Sequence, residues 1–465
     1  MTAPLVGRAD HELLLDLLHL PTAGPLETGA DLPAPELWAA QRRYAEHAAA
    51  LGFAVRHHAP SRPEDIEADD VPLAVREAVQ AGPGFLACQP SLVLELGAAH
   101  TRDRTVMFNV HLDTVAGMEQ VGFDGRRFTG RGAVDAKGPA VGLLAGIRAA
   151  LAERPGLARD IRILVQAVAG EEGGALGTIG TRPLVERGWY GRLNVFCEPT
   201  GLRYLPRASA AMTACVRVEG DDAIDDRPEH GHNATVLLGY LAQHLGLVLP
   251  PLAAEGRVCV AGLTTGPLHN RVYGRGALLL NLSYTNAETA RRLESATTDA
   301  LHEGLAAFRA RFGAVRELAR TARDAAAITR LHWRKRGIPA LTGTSPWAER
   351  LLGEAAGIGR WPDDEAAFTC DAIWLADRED AATVVYGPGS LEGNHAHAQG
   401  EYVDLADLES FAAGIARILL AFHDDCANDN CVEDSCVNDG RVNDSCVDDT
   451  ESTCISSAGS KEPSR

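Results

Sequence analysis

The sequence predicts an α/β protein in which a mostly parallel central sheet, flanked by helices, is interrupted by a smaller α+β domain. Three observations carry this expectation. Between residues 90 and 200, apolar β-branched runs alternate with helical stretches; from about 207 to 326 the order becomes strand, helix, strand, strand, helix; after 327 the alternation returns. Strands that are apolar on both faces and joined by helices belong to a buried, largely parallel sheet. The middle order suits a compact antiparallel layer inserted into the first domain.

Taken in order, MTAPLVGRADHELLLDLLHL reads as a helix with one apolar face. Arg8, Asp10 and Glu12 fall where a secretory signal needs an unbroken apolar core, so a cytoplasmic location is expected. Residues 58–89, rich in Pro, Asp and Glu, read as a surface excursion. SLVLELG, RTVMFNV, DIRILVQAVA and RLNVFCE are the strands of the first domain, with a helix through PAVGLLAGIRAALAE. AMTACVRVEG, RVCVAGLTTG and GALLLNLSYT are strands of the inserted domain, with helices from Asn233 and through ETARRLESATTDALHEGLAAFRARF. ATVVYGPGS and a closing helix, DLADLESFAAGIARILLAFH, complete the first domain. The expected division is 1–206 and 327–424 for the larger domain, 207–326 for the inserted one and 425–465 for a tail. That tail repeats Cys-containing acidic pentads (CANDN, CVEDS, CVNDG, RVNDS, CVDDT), holds too little apolar surface for a core, and is expected to be disordered.

Composition excludes several functions. With 44 basic against 63 acidic residues and a formal charge of -19, the chain has the wrong sign for a nucleic-acid backbone or an anionic membrane surface. No run reaches the roughly 18 to 20 uninterrupted apolar residues of a membrane span, so no bilayer crossing is expected. Cysteines scattered singly through the body suit a reducing compartment.

Chemistry is concentrated in five short segments at successive strand ends: HLDTV (111–115), GAVDAKG (132–138), GEEGG (170–174), CEPTG (197–201) and HAHAQGEYV (395–403). Any one of them has an ordinary reading as a solvated or capping group. Jointly they supply two imidazoles and several carboxylates, the donor set of a pair of divalent metals, and in open α/β sheets ligands bind at the carboxyl ends of the strands.

In this order the five motifs resemble those of the di-zinc amidohydrolase and exopeptidase family that includes acetylornithine deacetylase, succinyl-diaminopimelate desuccinylase, aminoacylase and glutamate carboxypeptidase, over about residues 10–424. The resemblance implies two divalent ions, zinc before cobalt or manganese, with His111 and Glu198 on one, Glu172 and His397 on the other, and Asp135 bridging them. His397 rather than His395 matches the family spacing of four residues before the Glu of Glu-Tyr, here Glu401. Asp113 would orient His111 through its free ring N–H. Glu171 would be the general base that serves a metal-bridging hydroxide. The inserted domain resembles the family's lid and dimerisation domain, which implies a homodimer, and Asn270 matches an asparagine that approaches substrate.

Two positions depart from the family. Ile224 stands where a histidine is usual seven residues before Gly231, and Ser283 where many members carry arginine. His230 and His232 are candidate replacements for the lost donor, and Arg257, Arg271 and Arg275 are candidates to pair with a substrate carboxylate. The implied activity is hydrolysis of an amide bond in an N-acyl amino acid or small peptide-like molecule. The alternatives are a non-hydrolytic binding or scaffold homologue and a dedicated biosynthetic component with a functional Cys-rich tail.

Overall fold

A computed structural model describes residues 4–438 apart from 30–32, 69, 99 and 255. In chain order its main strands are β1 (Ala54–Pro60), β2 (Pro90–Leu96), β3 (Thr105–His111), β4 (Arg162–Val168), β5 (Leu193–Phe196), β6 (Ala210–Glu219), β7 (Arg257–Thr264), β8 (Arg275–Tyr284), β9 (Thr329–Lys335) and β10 (Ala382–Val385). Its main helices are α1 (Arg8–His19), α2 (Leu37–Ala49), α3 (Leu73–Ala81), α4 (Lys137–Glu153), α5 (Ala234–Val248), α6 (Ala287–Phe312), α7 (Ala319–Ile328) and α8 (Leu405–Asn438).

The central sheet has the order β1-β2-β4-β3-β5-β10. β4, β3, β5 and β10 pair in parallel, and β2 is antiparallel to both its neighbours, so five strands point one way and β2 alone is reversed. Every residue of β2 and β3 is buried, as expected for strands covered on both faces. One side is closed by α1, α4 and α8. α4 is buried almost around its circumference, and Gly142 and Gly146 lie so close to α8 that an added Cβ would meet Phe411 or Ile415 at 2.9 Å or less. Asp10 of α1 is buried and accepts from Arg148 of α4 at 2.9 and 2.6 Å and from His47 of α2 at 3.1 Å, which ties three helices together.

The second sheet, β7-β8-β6-β9, is antiparallel throughout. Ala214, Val216 and Val218 of β6 and Leu278, Leu280 and Leu282 of β8 share one core cluster with α5, α6 and residues Val93, Met107 and Leu164 of the central sheet. The chain enters and leaves this region side by side: Ala208 and Leu341 exchange two backbone hydrogen bonds of 2.9 and 3.0 Å.

Three expectations need correction. The inserted region does not end at 326, because β9 pairs with β6 along Thr329–Lys335 and adds a fourth strand to the second sheet. Residues 58–89 are not a surface excursion: β1 runs through 58–60, and Ile66, Val71, Val75, Phe85 and Leu86 form a small core with Ala175 and Ile179. The body also runs past 424. Asp425 accepts from Trp347 Nε1 at 2.9 Å, and Cys426 is buried. α8 continues to Asn438, into the third pentad, so residues 425–438 are helical where disorder is expected, and residues 439–465 lie outside the described residues. By length and composition alone, Ala234–Leu252 is long and apolar enough to cross a membrane. In this fold Leu237, Leu238, Leu241 and Leu245 of that stretch are buried in the second sheet's core.

Candidate metal centre

The five motifs meet at the carboxyl ends of β3, β4 and β5. His111 ends β3 and is buried; its Nδ1 lies 2.9 Å from the backbone carbonyl of Asp113, leaving Nε2 aimed at Asp135 Oδ1, 2.9 Å away. The other carboxylate oxygen of Asp135 lies 3.0 Å from His397 Nε2, which is also 2.9 Å from Glu172 Oε1. Glu198, just beyond β5, is 3.6 Å from His111 Nε2. Asp135 therefore stands between two imidazoles, each of which faces a further carboxylate.

Local structure explains how the chain reaches this arrangement. Glu171 and Glu172 lie on a tight turn after β4. Gly170 (φ +79°) and Gly177 (φ +65°) close it with a 2.7 Å hydrogen bond, and a Cβ on either would collide at 2.3 Å with Ile179 or with Asp371. The Glu172 N–H donates to Asp113 Oδ2 at 3.0 Å, so Asp113 anchors the turn. Its carboxylate is 3.6 Å from His111 Nδ1, and the nearer partner of that nitrogen is the Asp113 carbonyl. His397 has φ +61°, a left-handed conformation that costs a non-glycine residue energy and holds the ring over Asp135.

The electrostatics follow from burying so many acids together. Burial, with Asp135 and Glu172 nearby, pushes Glu198 up to about 7. Burial and neighbouring Glu172 hold Glu171 well above the ordinary carboxylate range. Hydrogen bonds to Asp135 and Glu172 raise His397 to about 10. Burial alone would lower His111, but Glu198, Asp113 and Asp135 outweigh it and keep the imidazole well above its usual value. Asp135 is held low because its two histidine partners overcome its burial. Such a cluster attracts positive charge. Ligand atoms of His111, Asp135 and Glu172 lie within 4.8 Å of one another, and imidazole nitrogens with carboxylate oxygens form a donor set suited to zinc, so the residues fit a divalent ion.

The predicted lid residues lie elsewhere. Ile224 pairs with Arg271 in a short two-stranded antiparallel ribbon next to Asn270, and both Ile224 and Asn270 are exposed. His230 is exposed as well. His232 is buried with both ring nitrogens engaged: Nδ1 accepts from the Asp221 N–H at 2.8 Å, and Nε2 faces Asp324 at 3.3 Å. It is a structural histidine and has no nitrogen to offer a substrate, contrary to expectation. Ser283 and Arg257 are cross-strand partners and line a cavity of about 740 Å³ with Ser209 and Asn286. Among the described residues, no hydrogen bond or ion pair joins Ile224, His230 or Asn270 to the carboxylate cluster.

Two supporting residues escaped the sequence reading. Glu401 is buried and accepts from Arg131 at 2.7 Å and from the backbone N–H groups of Val134 and Asp135 at 3.1 and 3.3 Å, so it fixes the turn that carries Asp135. Its place in HAHAQGEYV was the available signal. Asp371 is buried beneath the Glu171–Glu172 turn, accepts from Thr181 Oγ1 at 2.5 Å, and is pushed by burial up to about 8. Nothing local in TCDAIW marks it.

Imidazoles and carboxylates gathered at the strand ends of an α/β sheet around one shared aspartate define a metallohydrolase of amidohydrolase or peptidase type. The chain belongs to Peptidase family M20/M25/M40, whose profile it matches over residues 107–421. Aminopeptidase PepT from Bacillus cereus shares the fold with a TM-score of 0.63 at 17% identity, over 89% of this chain and 98% of that one. So does the Bacillus subtilis YXEP protein, described as a dinuclear metal-binding peptidase of the M20 family, with a TM-score of 0.55 at 10% identity, over 88% and 96%. A protein of Aeropyrum pernix, named for LysW-lysine and LysW-ornithine hydrolysis, is 30% identical over 199 residues, or 42% of this chain. The chain spans about half the length of that relative, 51%.

Proposed function

We propose that this protein hydrolyses an amide bond in an N-acyl amino acid or small peptide-like substrate, with two divalent ions, zinc first among them, held by His111, Asp135, Glu172, Glu198 and His397. The observation that carries the proposal is Asp135, whose two oxygens each face a different imidazole at 2.9 and 3.0 Å. Bound ions would polarise the scissile carbonyl and acidify a water. Asp135 would orient both histidines, and Asp113 would hold the turn that presents Glu172. Glu171 would take the water's proton and return it to the departing amine. The dinuclear description of the Bacillus subtilis protein supports the metal count, and the Aeropyrum pernix relative makes lysine- or ornithine-bearing amides worth testing first.

We also propose self-association through the second sheet and a reducing, cytoplasmic setting. The edge strand β7 exposes Val260 and Leu263, and α5 exposes Leu247. In such an assembly Asn270 and His230 are the candidates to reach a substrate on the neighbouring copy.

The test is elemental analysis of the purified protein with turnover on N-acetyl, N-succinyl, γ-glutamyl and dipeptide amides of lysine, ornithine and other amino acids. About two ions per chain and cleavage of at least one series are expected. A protein that cannot be loaded with metal, or that still holds two ions after His111→Ala with His397→Ala, overturns the assignment.

A further inference from the structure

The molecule carries a formal charge of -19, yet residues 309–336 hold nine basic side chains against two acidic ones. This stretch runs from the end of α6 through α7 into β9, so the cations end on the edge of the second sheet. Antiparallel pairing then sorts them. Arg330 lies directly opposite Arg217 of β6, His332 opposite Cys215, and Lys335 opposite Thr213. The alternate residues Leu331 and Trp333 pack on the core side, against α5 and α6. Arg217, Arg330, His332 and Lys335 therefore share the other face, where the first three are exposed.

Two arginines directly opposite across antiparallel strands repel each other, and a fold selected only for stability would place an acid or a neutral residue at one of them. Among the described residues no carboxylate hydrogen-bonds or ion-pairs with Arg217, Arg330, His332 or Lys335. Arg330 donates only to backbone carbonyls, at 3.4 and 2.8 Å. Lys335 is largely desolvated, and burial lowers its amine. Two unneutralised guanidiniums, Arg217 and Arg330, with His332 beside them on an exposed patch of sheet face, in a protein otherwise strongly acidic, are a place where a counter-charge from outside is missing.

We propose that this face docks an acidic polypeptide segment, an extended chain whose carboxylates meet Arg217 and Arg330 beside His332. Charge complementarity chooses the occupant. The net negative field of the rest of the molecule disfavours long polyanions such as nucleic acid, whereas a short acidic peptide brings its charge only to the row that attracts it. β9 is an edge strand as well, so its free backbone groups can pair with an extended peptide laid alongside. The inference is independent of the hydrolase reading, because binding at this face needs no metal.

The experiment is fluorescence anisotropy of the full-length protein with labelled deca-glutamate, a neutral Gly-Ser decapeptide and a single-stranded oligonucleotide of equal charge, over a range of salt. Deca-glutamate is expected to bind, more weakly as salt rises, and the neutral peptide not to bind. Arg217→Glu with Arg330→Glu should weaken binding by roughly tenfold or more. Arg217→Thr alone should also weaken binding while raising Tm by about 1 °C, because it removes the cross-strand repulsion; a merely structural arginine would lower Tm on removal. No deca-glutamate binding at low salt, equal binding by the doubly reversed variant when its circular dichroism matches the parent, or tighter binding of the oligonucleotide each overturns the proposal.

Discussion

Glu171 and Glu172 are neighbours in sequence with different surroundings. Glu172 lies 2.9 Å from His397 and is held by Asp113 through its own N–H, whereas no hydrogen bond or ion pair is seen for the Glu171 side chain among the described residues. Replacing each by glutamine should therefore separate two losses. Glu171→Gln should keep metal content and fold while turnover falls by roughly 10²- to 10⁴-fold, the usual range for removing a general acid–base group. Glu172→Gln should lower metal content as well, measured by elemental analysis, and equal metal loss in both variants would mean that their roles are exchanged. Glu401→Ala offers a third comparison: it leaves two backbone N–H groups without their acceptor and removes one of the carboxylates that hold Arg131, so metal affinity should fall although no ligand has changed. The ligand positions were legible in the sequence because His-x-Asp, Glu-Glu and Glu-Pro stand at strand ends. Asp371 was not, because its role depends on a turn about 200 residues away, and His232 was misjudged because its partners, Asp221 and Asp324, are supplied by separate segments.

At the scale of elements, the legible strands were those apolar on both faces, and the two missed ones are edge strands with mixed faces. β1 reads AVRHHAP and β9 TRLHWRK. Each is covered on one side, so half its residues are polar and its period-2 pattern is short. Helices were easier to find, and one makes a pH-dependent prediction. Burial would raise the carboxyl of Asp10 in α1, but hydrogen bonds from His47 and Arg148 overcome this and hold it at about 2. A lowered acid stabilises the fold above its ordinary value near 4, and that contribution disappears as pH falls through 2. Asp10→Asn should thus cost about 2 kcal/mol at pH 7, with the gap to the parent closing between pH 4 and pH 2 in denaturant titrations. The closing helix makes another. Truncation after Asn428 should leave Tm within a few degrees, whereas truncation after His423 removes the Asp425 bond to Trp347 and the buried Cys426, and should lower it clearly in a thermal melt.

For the whole molecule, the carboxylate cluster is the feature most exposed to conditions. Removing divalent ions leaves His111, Asp135, Glu172 and Glu198 facing one another with protons as their only compensation, so chelation should lower Tm as well as activity, and readdition of zinc should restore both. A chelated protein with an unchanged melt would show that the cluster is compensated internally. The division into two sheets was readable from the change in strand and helix order, but their shared core was not, since no local pattern reveals that Val93 and Met107 pack in one cluster with α5 and α6.

The paired hydrogen bonds between Ala208 and Leu341 give the inserted region a topological property. Together they form the neck of a closed loop, so for the central sheet everything between them counts as one long polymer loop whose ends are already joined. The entropic cost of closing such a loop grows only with the logarithm of its length, about 0.6 kcal/mol for each doubling. Insertions in those turns of this region that leave Val93, Met107 and Leu164 covered therefore cost the central sheet almost nothing, and His111 and its neighbours keep their positions.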